Sequence, residues 1–220
     1  MNLIELSNIC KRYGTIEVLK NINLTVKKGD FISIRGKSGV GKTTLLKIIG
    51  LLETPDKGEV KLLGRNVNGL SDDEKSELRL HYIGFVFQFF NLIPSLTVLE
   101  NIELPLALAG IDKHKRRKRA RELLEYFGLI SLEERFPETL SGGERQRIAI
   151  IRALVNNPKI ILADEPTSSI DDENSQLVMD LLSKINKERK VTIIMTTTDL
   201  YEKLPTNRDF ILKEGHLIEL

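Results

Sequence analysis

The residues Gly36-Lys37-Ser38-Gly39-Val40-Gly41-Lys42-Thr43 have the types and spacing to hold phosphate. The pattern G-x-x-x-x-G-K-[ST] requires a strand before it and a helix after it. Phe31-Ile32-Ser33-Ile34 and Thr44-Leu45-Leu46-Lys47-Ile48-Ile49 supply both. Glycines let the backbone close on phosphate oxygens with no Cβ in the way. The loop N–H groups and the positive end of the helix opening at Thr44 then face the anion. Lys42 can set its charge on the β- and γ-phosphates of a nucleotide, and the Thr43 hydroxyl can reach a Mg2+ ion.

Asp164-Glu165 ends a continuous apolar run, Ile160-Ile161-Leu162-Ala163. Such a run reads as a strand buried on both faces of a parallel sheet. Open α/β sheets place ligands at strand ends of this kind. Adjacent carboxylates there can divide the work. Asp164 would hold Mg2+ through water, and Glu165 would orient the water that attacks a γ-phosphate. Gln88 follows another strand, Ile83-Gly84-Phe85-Val86-Phe87, and its amide could ligate Mg2+ or sense that water. Leu140-Ser141-Gly142-Gly143-Glu144-Arg145-Gln146-Arg147 precedes a helix carrying Ile148, Ile151, Leu154 and Val155. A hydroxyl, bare amides and a helix dipole make a second anion site. Two such sites far apart in one chain could serve two ligands, or one ligand shared between two copies.

The elements that must position these groups alternate strand and helix. Residues 3–10 and 18–26 read as strands, with Ile22, Leu24 and Val26 alternating with polar residues as in a half-exposed antiparallel sheet. Tyr13 lies on the turn between them, where it could stack on a base or simply pack. A short strand is expected at 59–63. Ser71-x-x-Glu74, Thr97-x-x-Glu100 and Ser131-x-x-Glu134 are capping boxes that open helices, the second curtailed by Pro105. Gly128 is a stop for the helix that follows Asp112. A long helix carries Leu177, Val178, Leu181, Leu182 and Ile185. Val191–Met195 is a further buried strand, and the last residues form a hairpin around Glu214-Gly215.

Two stretches have open readings. Phe89-Phe90-Asn91-Leu92-Ile93-Pro94 is an apolar loop, either folded back on the core or used to dock another protein. Lys113-His114-Lys115-Arg116-Arg117-Lys118-Arg119 is a solvated helix face or a contact for anionic lipid.

With 220 residues the chain can bury a sizeable core. Lys plus Arg number 33 against 31 Asp plus Glu, a balance that argues against a whole-surface nucleic-acid binder. Cys10 is the only cysteine, so no internal disulfide forms, and a reducing setting fits. We expect Cys10 to be a small core residue. The Met1–Leu6 stretch has no basic region followed by a long apolar one, so no signal peptide is expected. No run approaches the ~20 apolar residues of a membrane-spanning helix. A partner would have to supply any span.

Taken in order, Gly36–Thr43, Gln88, Leu140–Arg147, Ile160–Thr167 and Ser168-Ser169-Ile170-Asp171 resemble the ATPase subunit of an ATP-binding cassette (ABC) transporter. The resemblance covers essentially the whole chain, and Ser141-Gly142-Gly143-Glu144 is close to diagnostic. Ile83–Gln88 through Leu99-Glu100-Asn101 is more specifically similar to the lipoprotein-release and macrolide-export branch. The resemblance implies an α/β P-loop core with an antiparallel β lobe (1–88 and 156–220) and a helical subdomain (89–155). Tyr13 would stack on adenine. Residues 36–44 would cradle the phosphates. Ser141–Glu144 would reach the γ-phosphate held by another copy, so two ATP molecules would be sandwiched in a head-to-tail homodimer with Asp171 at the seam. Thr43, Gln88 and Asp164 would hold Mg2+. A groove beside Gln88, near Phe89, Phe90, Leu92 and Ile93, would receive a membrane permease. The protein would sit in the cytoplasm, at the inner face of the membrane.

One position departs from the family. Its histidine after the last buried strand is replaced here by Thr198, within Thr196-Thr197-Thr198-Asp199. Thr198 would then bear on catalysis, and hydrolysis would be slow. The leading expectation is a Mg2+-dependent ATPase that drives a permease. The alternative is an ATP-dependent switch on a membrane or cell-envelope machine.

Overall fold

The structure is a computed structural model and describes residues 2–220. Met1 of the amino-terminal stretch lies outside the described residues. Two sheets form. The first has the order β2-β1-β4-β5, all antiparallel, from β1 (Asn2–Tyr13), β2 (Ile16–Lys27), β4 (Lys57–Leu62) and β5 (Arg65–Asn66). Both long strands exceed the expected 3–10 and 18–26. They absorb register shifts near Asn8 and Asn21, which take left-handed φ of 53° and 50°. Asparagine tolerates that conformation.

The second sheet has the order β10-β9-β3-β8-β7-β6. Its strands are β3 (Phe31–Arg35), β6 (Ile83–Val86), β7 (Ile160–Ala163), β8 (Thr192–Thr197), β9 (Arg208–Lys213) and β10 (His216–Glu219). All but the β9–β10 hairpin pair in parallel. Every residue of β3, β7 and β8 is buried, which is why β7 reads as a continuous apolar run and the other two as mostly apolar ones.

Two hydrophobic cores lie on the two faces of this sheet. Ile32, Ile34, Ile160, Leu162 and Ile194 point into the core shared with the first sheet and α1 (Lys42–Ile49). Phe31, Ile161, Ala163, Ile193 and Met195 point into the other, under the helices α3 (Val98–Leu108), α4 (Lys113–Tyr126), α5 (Gly142–Leu154) and α6 (Asp172–Arg189). Successive residues of a strand face opposite ways, so each short strand feeds both cores.

The helices are α2 (Asp72–Tyr82), α3 (Val98–Leu108), α4 (Lys113–Tyr126), α5 (Gly142–Leu154) and α6 (Asp172–Arg189). The capping boxes at Ser71/Glu74 and Thr97/Glu100 both form, and Gly128 follows α4 at φ 71°. Three expectations need correction. Pro105 does not curtail α3, which continues to Leu108. Burial of Val98, Leu99, Ile102 and Leu106 outweighs the proline's missing N–H. Ser131 caps nothing: it sits inside a single 3-10 turn, Ile130–Leu132, between α4 and α5. Cys10 is half-buried rather than in the core, and its Sγ accepts the Asn21 N–H at 3.3 Å.

Candidate active site

The parallel register decides what meets what. Arg35 pairs with Thr197, Ala163 with Met195, and Val86 with Ala163. The carboxyl ends of β3, β8, β7 and β6 therefore lie side by side along one sheet edge. The loops leaving them carry the glycine-rich segment, Thr198, Asp164-Glu165 and Gln88.

The glycine-rich loop turns into α1 through Gly41, at φ 112°. A Cβ there would stand 2.6 Å from Val18 Cγ1, so both the conformation and the space require glycine. As the N-cap of α1, Gly41 offers no side-chain acceptor. The first-turn amides of α1 are left for a ligand, as an anion site needs. Lys42 is buried. Its ammonium donates to Gly36 O at 2.8 Å and Lys37 O at 3.1 Å, and pairs with Glu165 Oε1 at 3.2 Å.

The acidic pair is held from three sides. Asp164 N donates to Val86 O at 2.9 Å, which ties the β7 exit to β6. The Thr43 hydroxyl donates to Asp164 Oδ2 at 2.8 Å. The Thr196 hydroxyl donates to Asp164 Oδ1 at 2.7 Å and accepts the Glu165 N–H at 3.0 Å. Glu165 takes φ 45°, a left-handed conformation that is strained for a residue other than glycine. The surrounding bonds over-determine it: its N–H on Thr196, its carbonyl accepting Ser168 Oγ–H at 3.0 Å, its carboxylate on Lys42.

Thr196 was not among the residues singled out from sequence. The available signal was a polar residue closing a buried strand at the ligand edge of the sheet. Gln146 was also missed. It is fully buried on α5, and its Nε2 donates to Pro166 O at 2.7 Å and, at a long 3.5 Å, to Phe87 O. It ties the loop after β7 to the turn after β6.

Other expected residues lie apart from this cluster. Strand β6 ends at Val86, so Gln88 sits in the turn beyond it, half-buried and with no hydrogen bond to Thr43 or Asp164. Thr198 is exposed and bonds neither carboxylate; Thr196, two residues earlier, donates to the Asp164 carboxylate and accepts the Glu165 N–H. Tyr13 ends β1, 47% exposed, with the Lys11 ammonium 5.4 Å from its ring centre. Ser141 is the N-cap of α5: its Oγ accepts Glu144 N–H at 3.2 Å and its own N–H donates to Glu144 Oε2 at 2.7 Å. Asp171 caps α6 by accepting Asn174 N–H at 2.9 Å. Asn174 packs so closely on Gly143 that a Cβ there would fall 1.9 Å from Asn174 Oδ1. Among the described residues no hydrogen bond or ion pair joins Ser141–Glu144 to Gly36–Thr43.

The apolar loop is divided. Phe89 is 72% exposed and Ile93 is exposed, but Leu92 packs on the helical core and Phe90 lies beneath the Arg145 guanidinium at 5.7 Å. Beside this loop runs a groove of about 470 Å3, whose apolar lining includes Leu52, Leu80, Phe85, Phe87 and Leu108.

Fold and site together define a P-loop nucleotide-binding ATPase. Residues 19–168 match the family model described as ABC transporter. An uncharacterised ABC transporter ATP-binding protein of Methanocaldococcus jannaschii is 46% identical, over 99% of each chain. The lipoprotein-releasing system ATP-binding protein LolD of Bacteroides fragilis is 40% identical over 98% of this chain and 100% of its own. The macrolide export ATP-binding/permease protein MacB of Mannheimia succiniciproducens is 43% identical over 100% of this chain but 34% of its own. Among solved structures, a dimeric post-hydrolysis state of the cassette MJ0796, bound to ADP and Pi, superposes with a TM-score of 0.89. That likeness has 45% identity and covers 99% of this chain and 97% of the other. The chain belongs to the ABC transporter family, as an ATP-binding subunit of the lipoprotein-release and macrolide-export branch.

Proposed function

We propose that the protein binds Mg2+-ATP at the glycine-rich loop, dimerises head to tail on it, and uses hydrolysis to drive a membrane permease. The observation that carries this reading is the network Thr43–Asp164–Thr196–Glu165–Lys42. It joins the phosphate loop to the two carboxylates that hydrolysis needs.

The residues suit ATP and Mg2+. Uncapped amides of α1 and the buried Lys42 fit a polyphosphate. Thr43 and Asp164 are hard oxygen donors already in contact, and Gln88 could add its carbonyl. Among the described residues no cluster of three or more His, Cys, Asp or Glu builds a metal cage. Mg2+ suits such a site, because it takes one or two protein oxygens and completes its shell with phosphates and water. Once bound, it would neutralise charge on the phosphates. Residues 36–44 orient the triphosphate. Lys42 exchanges Glu165 for phosphate oxygen, which frees the carboxylate to take a proton from water. The water oxygen bonds the γ-phosphorus as the bond to the bridging oxygen breaks, leaving ADP and phosphate.

Ser141–Glu144 makes no hydrogen bond or ion pair with its own phosphate loop among the described residues, which supports a second copy supplying it, with Gly142, Gly143 and Asp171 at the seam and Tyr13 on adenine. The groove near Phe89 suits a short permease helix. The name of MacB couples a cassette with a permease in one chain. Among the described residues no helix is long and apolar enough to cross a membrane, and in this scheme the permease supplies the span. On this reading the protein works in the cytoplasm, at the inner face of the membrane. Residues 89–155 act as a helical subdomain on a core of 1–88 and 156–220. Thr198 in place of histidine favours slow hydrolysis, and with it the second reading of an ATP-dependent switch.

Lys42→Ala tests the first step. ATP affinity should fall about 10- to 100-fold, since a charge-assisted bond is lost. Unchanged affinity for a fluorescent ATP analogue would refute the role of the loop.

A further inference from the structure

We infer that a cleft at the amino-terminal edge of the parallel sheet, at the strand ends away from the glycine-rich loop, binds a phosphate-type polyanion. Lys28 lies in the turn before β3, Lys159 directly precedes β7, and Arg189 and Lys190 join the end of α6 to β8. Parallel strands bring these three segments to one edge, although the first cation and the last lie 162 positions apart in the sequence. The cleft holds about 210 Å3 and is floored by Leu3, Leu154 and Val191. That is the volume of about seven waters in the liquid, enough for a phosphate group and part of its hydration shell.

No carboxylate lines the cleft among the described residues, and none of the four cations makes an ion pair. Other surface arginines do find carboxylates, as Arg116 does with Glu103, Arg121 with Glu133, and Arg208 with Asp30 and Glu219. The carboxyl ends of α5 and α6 reach this edge and offset about half a charge each. A surplus of about three positive charges is left. Arg119, which donates to Asn157 on the rim, adds to it; burial, and then the neighbouring Arg189, push its pKa down. Like charges held together around a concavity repel, and a dianion relieves that repulsion.

The donors suit phosphate. The three ammonium groups are rotatable donors, and Arg189 offers a planar fork. Its guanidinium is held in place over Tyr126, 4.7 Å from the ring centre, and Phe127, at 6.0 Å. A concave site of this size fits one soluble phosphorylated group better than a lipid surface, although a lipid headgroup presents the same chemistry.

The test titrates inorganic pyrophosphate into the isotope-labelled full chain and follows backbone amides by NMR. Amides of Lys28, Asn157, Lys159 and Lys190 should shift saturably, with their own midpoint, separately from Gly39 and Gly41 of the phosphate loop. In the double variant Lys159→Ala/Lys190→Ala, both at exposed positions, the cleft response should weaken about tenfold or more, with the loop response unchanged. No saturable shift at the cleft, or the same response in the double variant, overturns the site. So does a lower Tm of the double variant with no pyrophosphate response in either protein, because the cations would then serve only the helix ends. Vesicles of phosphatidylcholine with and without phosphatidylglycerol form the second arm. No sedimentation with either supports a soluble ligand. Sedimentation with the anionic vesicles that Lys159→Ala/Lys190→Ala abolishes overturns the soluble source and reassigns the site to a headgroup.

Discussion

Thr196 and Asp164 share a 2.7 Å hydrogen bond between neighbouring strands, and the same threonine oxygen receives the Glu165 N–H. One buried hydroxyl thus holds the Asp164 carboxylate and the Glu165 backbone together. Thr196→Val keeps the shape and removes the oxygen, leaving Asp164 Oδ1 and the Glu165 N–H without that partner. Turnover should fall about tenfold with ATP affinity little changed, in line with the cost of an unmade buried hydrogen bond. Thr196→Ser should restore turnover. Equal loss in the valine and serine variants would make the defect one of packing rather than positioning.

Glu165→Gln should trap the ATP dimer. The amide is the same size, but it cannot accept the proton of the attacking water. Light scattering with Mg2+-ATP should show a lasting dimer. Ser141→Arg should stay monomeric while binding one ATP at the glycine-rich loop. A Glu165→Gln protein that remains monomeric at saturating ATP would contradict the head-to-tail scheme.

Leu108 is 68% exposed at the lip of the apolar groove, and Phe89 stands 72% exposed beside it. Leu108→Asp should weaken capture by the permease about 10- to 100-fold, the value of one buried apolar side chain. Phe89→Asp should act likewise. Phe90→Asp is a poorer probe, because that ring already lies under Arg145. Full capture by both the Leu108 and Phe89 variants would place the partner elsewhere.

Thr198 is exposed and bonded to neither carboxylate. A histidine there could donate to the γ-phosphate and carry positive charge; a threonine hydroxyl can donate one hydrogen bond, but it is shorter and uncharged. A positioned donor of that kind is worth about 10²–10³ in rate. Thr198→His, measured with the membrane partner, should therefore hydrolyse ATP faster at similar affinity. If it does not, and the wild type turns over rapidly, the slow-switch reading loses its basis.

Local patterns determined much of this protein by sequence alone. The spacing from Gly36 to Thr43, the apolar runs before it and before Asp164, and the boxes at Ser71 and Thr97 each specify their own backbone within a few residues; the like pattern at Ser131 caps no helix. No distant contact is needed to read them. Tertiary structure decided the rest. Three threonines follow Met195, and nothing local tells them apart. Only the pairing of Ala163 with Met195 brings Thr196 beside Asp164, while the side-chain alternation of β8 sets it on the face of Ile194. Pro105 reads locally as a stop, yet burial of the α3 face carries the helix through it. Lys28, Lys159 and Lys190 are ordinary surface lysines in sequence; parallel strands alone bring them to one edge, since that order joins segments far apart in the chain.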